Sequence, residues 1–131
     1  MAGAVAGEPG GITGLAQLLR EMQPVLDDRP YAIEILDTDA PLPADVFALI
    51  HEPEGMTLIA PFPDGTWARI SLSVHSSLSA VGLSAAIART LADQGLPANI
   101  VAGYHHDHLF VPWARRQEAM QALTLLSEHH A

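Results

Sequence analysis

The chain of 131 residues contains neither cysteine nor lysine. The absence of cysteine excludes disulfides, thiolate metal sites and a cysteine nucleophile. The absence of lysine excludes a Schiff-base nucleophile and a phosphate-binding loop that ends in Gly-Lys. Composition alone therefore removes several kinds of active site.

Positive charge is scarce as well. Six basic residues, all of them arginine, stand against 15 acidic residues, so the formal net charge is -9 at pH 7. A surface of this kind has no basic patch that could displace counterions from phosphates. We therefore predict no nucleic-acid partner.

Long apolar runs are also missing, since no window approaches the roughly 18 consecutive apolar residues of a membrane-spanning helix. Residues 1–12 are small and rich in glycine, and they lack the basic residue that precedes the apolar stretch of a signal peptide. We predict a flexible tail over residues 1–12, no membrane partner and a cytoplasmic location. The absence of cysteine fits the reducing interior of a cell.

Apolar residues make up 49% of the chain, which is enough for the packed core of one domain. Residues 66–112 have the patterns of a strand, a helix and two further strands, and residues 114–128 have the pattern of a second helix. This order predicts a small α+β sandwich.

The N-terminal half has weaker patterns, which predict a helix over residues 13–22, with Thr13 as its N-cap, and a strand over residues 31–36. A hairpin of residues 46–51 and 56–60 follows. Two prolines and an Asp-Gly pair make residues 61–66 the predicted boundary. The predicted division is the tail, an N-terminal half over residues 13–65 and a domain over residues 66–128.

The strand over residues 67–75 alternates between an apolar face, which includes Ile70, and a polar face, which includes Arg69 and His75. Such alternation is typical of a sheet covered on one side. An apolar stripe over residues 79–95 predicts the covering helix, with Gly95 at its C-terminus. Strands over residues 98–104 and 109–111 form a second hairpin, and a helix over residues 115–128 ends the domain.

Two stretches, VHSSLSAVGL (residues 74–83) and VAGYHHDHLFVP (residues 101–112), resemble a small bacterial ACT-like family of unknown function. SAVGLSAAIARTLADQGLPANIVAGY is similar to the ACT pattern of a Gly-Leu helix start, a helix, and a glycine turn into a strand. The resemblance implies a ferredoxin-like ACT sandwich, in which βαββα and one more strand form an antiparallel sheet with helices on one face. The extra strand comes from the N-terminal half or a partner chain. Residues 13–65 are then either a degenerate ACT-like half or a strand donor.

The resemblance also implies an effector site between the first strand of that domain and its helix. Gly82 falls at the ACT glycine, and the backbone N–H groups of a helix N-terminus suit the carboxylate of an amino acid. The residues implied are His75, Ser76, Ser77, Leu78, Ser79, Ala80, Val81 and Gly82 on one wall, and Asn99, Ala102, Gly103 and Tyr104 on the other.

Histidines supply the main competing chemistry. Imidazole and carboxylate groups together suit Zn²⁺, Ni²⁺ or Cu²⁺, so a metal site is an open alternative. Its ligands would be His75, His105, His106, Asp107 and His108. Histidine and aspartate are also common in exposed turns, where they have a structural role.

The sequence therefore favours a non-catalytic, ACT-like regulatory or sensory protein that binds a small molecule, such as an amino acid, and forms a homodimer. We predict no cofactor and no catalytic residue. Two alternatives remain open: a histidine-rich metal-binding protein or metal-dependent enzyme, and a module that only pairs subunits.

Overall fold

The structure, a computed structural model, describes residues 14–130. Thr13, the predicted N-cap, and the tail predicted over residues 1–12 lie outside the described residues. A one-turn 3-10 helix, Trp113–Arg115, precedes the last helix. The other elements, in chain order, are α1 (Leu15–Arg20), β1 (Pro24–Ile35), β2 (Ala48–Glu52), β3 (Gly55–Pro61), β4 (Trp67–Leu72), α2 (Leu83–Asp93), β5 (Asn99–Ala102), β6 (Asp107–Pro112) and α3 (Arg116–Glu128).

The six strands form one antiparallel sheet in the order β2-β3-β1-β4-β6-β5. The four strands β1-β4-β6-β5, with α2 and α3, make the predicted ferredoxin-like sandwich, so the predicted fold class is confirmed. Strand β1 is the strand that the N-terminal half contributes, and β2 and β3 extend the sheet beyond it. The connection from β3 to β4 joins two strands of this one sheet. The predicted division of the chain at residue 66 stays a prediction.

Strand β1 begins at Pro24, seven residues before the predicted start at Tyr31. The strand tolerates two prolines because of where they stand. Pro24 is its first residue, and Pro30 lies beside a shift in the register of its pairing with β4. Before Tyr31, β1 pairs with β4 alone, so the missing N–H group of Pro30 breaks no bond to a second neighbour. The predictions of the hairpin made by β2 and β3 and of the glycine after α2 are confirmed, since Gly95 has φ +70°.

The three helices cover one face of β4 and β6. Alternate strand residues such as Ile70 and Leu109 are fully buried against Leu18 of α1, Leu91 of α2 and Leu123 of α3. The apolar stripe of each helix is thus buried against the apolar face of the sheet. Within residues 14–130, no helix is long and apolar enough to cross a membrane.

The opposite face of the sheet is strongly curled. The ring of Phe47, which immediately precedes β2, lies 4.9 Å from the ring of His108 and 5.5 Å from that of Phe110, both on β6. In a flat sheet β2 and β6 would be about 19 Å apart, since neighbouring strands are spaced by about 4.8 Å. The curl makes this face concave and buries Tyr31, Ile59 and Phe110 in a second, smaller core.

Candidate functional site

A groove of about 160 Å³ lies where the connection from β4 to α2 meets the hairpin of β5 and β6. Six of the predicted site residues line it: Ser76, Ser77, Leu78, Ala80, Gly82 and Ala102. Three further lining residues were not predicted to bind the effector: Leu83, Ser84 and Asp107.

The groove owes its shape to the late start of α2. The helix was predicted from Ser79, but it begins at Leu83 because Gly82 has φ +98°, a left-handed conformation that interrupts the helical geometry. The backbone N–H groups of the first helical turn have no acceptor within the helix. The candidate amide donors therefore belong to Leu83 and the residues after it, rather than to residues 77–81.

Ser77 stabilises the loop before the helix. Its hydroxyl accepts a hydrogen bond of 3.0 Å from the N–H of Ser79, and its carbonyl oxygen accepts one of 3.0 Å from the N–H of Ala80. This local turn holds the connection in a compact form. The side chain of Ser77 thus caps a turn. It does not cap α2, whose N-cap residue is Gly82 and therefore has no side chain to make a capping bond.

Asp107 contributes the one charged side chain among the described residues that line the groove. Its Oδ2 accepts a hydrogen bond of 3.3 Å from the hydroxyl of Ser76. Asp107 is the first residue of β6 and pairs with Ala102, so the closing pair of the hairpin forms one wall. The carboxylate of Asp107 can bind an ammonium group, and the N-terminus of α2 can bind a carboxylate group. The groove therefore suits a ligand that carries both charges.

The remaining predicted residues lie outside the groove. Asn99 lines the concave face on the other side of the sheet. Val81 is 82% exposed, and Tyr104 is half-exposed. Gly103 is required by its own turn, because a Cβ there would lie 2.9 Å from the carbonyl oxygen of His106. Ser79 is exposed on the Ser77 turn.

The histidines are divided between two places. The rings of His75 and His105 are 5.4 Å apart, and the ring of Tyr104 is 5.0 Å from that of His105. His106 places Nδ1 3.3 Å from the carbonyl oxygen of Val74. None of these side chains lines the groove.

His108 lies on the concave face instead. Its Nδ1 is 2.7 Å from the hydroxyl oxygen of Ser71. Burial lowers the pKa of His108, the nearby charges of Arg69 and His106 lower it further, and Asp107 opposes them. Among residues 14–130, no group of three or more His, Cys, Asp or Glu side chains is arranged to hold a metal ion.

A separate polar cluster stabilises the concave face near the irregular part of β1. Asp27 Oδ2 accepts a hydrogen bond of 2.8 Å from the hydroxyl of Tyr31 and pairs with Arg29 at 3.2 Å and Arg69 at 3.7 Å. The guanidinium of Arg69 also stacks 4.7 Å from the ring of Phe47. Burial would raise the pKa of Asp27, but the hydrogen bonds from Arg29 and Tyr31 outweigh it and lower that pKa to about 2.

Replacement of Asp27 by asparagine is expected to cost about 2 kcal/mol of unfolding free energy at pH 7. The pKa of Asp27 is about 2 in the folded protein, against an ordinary value of 3.8. A depressed carboxyl pKa adds stability above the ordinary value, and this stability is lost as the pH falls through the folded value. Urea unfolding from pH 7 to pH 2 should show the two proteins converging in acid. The neighbouring residue offers a control, Asp28→Asn, for which we expect a difference near zero because the Asp28 side chain is exposed; a similar loss there would contradict the assignment.

Comparison with protein-family models identifies the family. Two family models of the ACT domain match the chain, one over residues 64–124 and the other over residues 10–73. The chain belongs to the ACT-domain family. ACT domains are typically regulatory modules that bind small molecules. No curated protein matches the chain closely enough to assign a more specific role.

Solved structures share the same fold. A Vibrio cholerae protein of unknown function, described as a possible transport protein, is 38% identical with a TM-score of 0.67, over 81% of this chain and 89% of that one. The ligand-free regulatory subunit of aspartate kinase from Thermus thermophilus is 14% identical with a TM-score of 0.61, over 79% of this chain and 95% of that one. An Agrobacterium tumefaciens protein is 15% identical with a TM-score of 0.61, over 74% of this chain and 82% of that one. The last two similarities concern the fold.

Proposed function

We propose that this ACT-domain protein is a non-catalytic regulatory or sensory protein that binds a free amino acid in the groove before α2. The observation that carries the proposal is the pairing of Asp107 with the start of α2 on the same groove. An amino acid presents an ammonium and a carboxylate on one carbon, and these two charges match the two walls.

The carboxylate of the ligand would accept hydrogen bonds from the backbone N–H groups that follow Gly82. Those donors have no partner within the helix, and the helix dipole adds a partial positive charge. The ammonium would donate to Asp107, which Ser76 already orients. His75 directly precedes Ser76, and Tyr104 follows Ala102 by two residues, so both are near lining residues in the sequence and would contribute to selectivity for the side chain of the ligand.

A homodimer is part of the proposal. Strands β2 and β5 are the edges of the described sheet, and their unpaired backbone groups suit pairing with a second copy. The regulatory subunit of aspartate kinase is a structural neighbour, which supports a regulatory role for this chain as well. Cytoplasmic location remains a proposal that rests on composition.

Ser84→Tyr is expected to abolish amino-acid binding, because Ser84 is an exposed residue on the first turn of α2 and its side chain lines the groove. The measurement is a thermal-shift screen of the metal-free protein against the standard amino acids, followed by calorimetry with the most stabilising one. A ligand at 100 times its dissociation constant stabilises the native state by about 2.7 kcal/mol, which is a shift of several degrees. The N-acetyl derivative of the same amino acid lacks the ammonium and should bind at least tenfold more weakly.

The matched control is Ala85→Tyr, since Ala85 is exposed on the same turn but does not line the groove. We expect this variant to bind as the parent protein does. Equal affinity in the parent protein and Ser84→Tyr would refute the groove as the site. If no amino acid raises the melting temperature while the protein dimerises with increasing concentration, a module that only pairs subunits replaces the proposal.

A further inference from the structure

The concave face of the sheet contains a cavity that is separate from the groove and about twice as large. Its volume is about 330 Å³, against about 160 Å³ for the groove before α2. Pockets for small ligands typically have volumes from about 300 Å³ upward and are mostly apolar with a few polar groups. The lining residues are Ile33, Ile50, Thr57, Ile59, Trp67, Asn99, Val101 and Phe110.

The lining contains no charged side chain among the described residues, although the whole chain carries a net charge of -9. An ion would lose its hydration in this cavity without gaining a counter-charge, which is costly. Trp67, which is partly exposed, supplies a flat aromatic surface, and such a surface favours a planar partner. The cavity therefore suits an uncharged, planar molecule.

Asn99 supplies the specific polar contact. Its side-chain amide makes no hydrogen bond to the part of the chain that the structure describes, and it stands on the edge strand β5, at the side of the cavity. Of the other polar lining groups, the hydroxyl of Thr57 already donates to the carboxylate of Glu52, and the indole N–H of Trp67 is a donor without an acceptor among residues 14–130. A primary amide has an NH₂ group that donates and a carbonyl oxygen that accepts, and these can pair with the carbonyl oxygen and the N–H of a second amide.

We propose that the concave face is a second ligand site, for an uncharged planar molecule that carries an amide group. Curvature favours a small molecule over a second copy of the chain, because two concave faces cannot fill each other. The cavity is bordered by apolar side chains, with Ile50 43% exposed at its β2 side, so a bound molecule would bury apolar surface that is now open.

Benzamide is the probe, and its binding is followed by the NMR signals of the Trp67 indole N–H and the Asn99 side-chain amide. We expect both signals to shift saturably. Benzoate, which has the same ring with a charge, and toluene, which lacks the amide, should each bind at least tenfold more weakly. Non-saturable shifts, or equal affinity for benzamide and benzoate, would overturn the proposal.

Two substitutions at the cavity and one control substitution locate the site. Val101→Phe places a larger side chain in the cavity and should remove benzamide binding, whereas Leu125→Phe, at a residue of α3 that is 65% exposed, should leave it intact. Asn99→Ala changes an exposed residue and should abolish the preference for benzamide over toluene even if Val101→Phe fails to fold. Persistent binding in a folded Val101→Phe protein would overturn the proposal.

A change from dimer to monomer in Val101→Phe, measured by sedimentation, would show that a second copy covers this face and would likewise overturn it. The result is independent of the amino-acid site, because amino acids should shift signals of Ser84 and Ala102 and leave those of Trp67 and Asn99 unchanged. Each of the two proposals can therefore fail alone.

Discussion

Gly65→Ala is expected to destabilise the protein by about 3 kcal/mol or more, a large cost for the addition of one methyl group. A Cβ at this position would lie 2.4 Å from both the carbonyl carbon and the carbonyl oxygen of Tyr31. Those atoms belong to the backbone of β1, which β3 and β4 hold on both sides at Tyr31. The methyl group can therefore be accommodated only if the turn or the sheet shifts. Urea unfolding at neutral pH measures the loss.

Gly14→Ala is the control for this substitution, because a Cβ at Gly14 would have no neighbour within 4 Å. Gly14 is the N-cap residue of α1, where the exchange should cost less than about 1 kcal/mol. If the two variants were equally stable, the result would contradict the close contact between Gly65 and the backbone of Tyr31.

The environment of Gly65 shows the local role of the residues in the predicted boundary, while the division of the chain there stays a prediction. Two prolines and an Asp-Gly pair predicted a boundary between two halves of the chain at residues 61–66. In the structure the turn, closed by a hydrogen bond of 2.9 Å from Gly65 N–H to the carbonyl oxygen of Phe62, lies against Tyr31 within one sheet. Turn chemistry predicts where a chain reverses, but the same residues serve a linker and a tightly packed turn.

Part of the candidate groove was predicted from the sequence, because one of its walls, the connection from β4 to α2, is a continuous segment of the chain. The opposite wall depends on strand parity. Asn99 and Ala102 are three residues apart on one strand, so alternation puts their side chains on opposite faces, and only Ala102 reaches the groove. This parity could have been read from the sequence. The contribution of Ser84 could not, because it depends on the left-handed conformation of Gly82, which delays the helix start.

Curvature of the sheet was the largest feature outside the predictions. The alternation of Arg69 and Ser71 with Ile70 and Leu72 predicted a sheet that is covered on one side only. Period-two patterns report which face a side chain occupies, and they contain no information on how far a sheet curls. The apolar run of three residues at the centre of β6 was the one local sign that both faces are buried there.

Phe110→Ala tests this burial of the concave face and should cost about 3–5 kcal/mol of unfolding free energy. Phe110 is fully buried, and its ring lies 5.7 Å from Tyr31 and 5.5 Å from Phe47, so truncation leaves a cavity that these rings cannot fill. Its neighbour Leu109, which is fully buried under the helices, provides the comparison. Leu109→Ala should cost about 2–5 kcal/mol.

The two losses, measured together by urea unfolding, distinguish a curled sheet from a flat one. In a flat sheet Phe110 would face solvent, and its truncation would change the unfolding free energy by less than about 0.5 kcal/mol while Leu109→Ala remained costly. Comparable losses mean that the concave face is a true second core, held by aromatic contacts between β1, β6 and the residue before β2. A loss confined to Leu109→Ala would contradict the curl and, with it, the cavity on which the second ligand site depends.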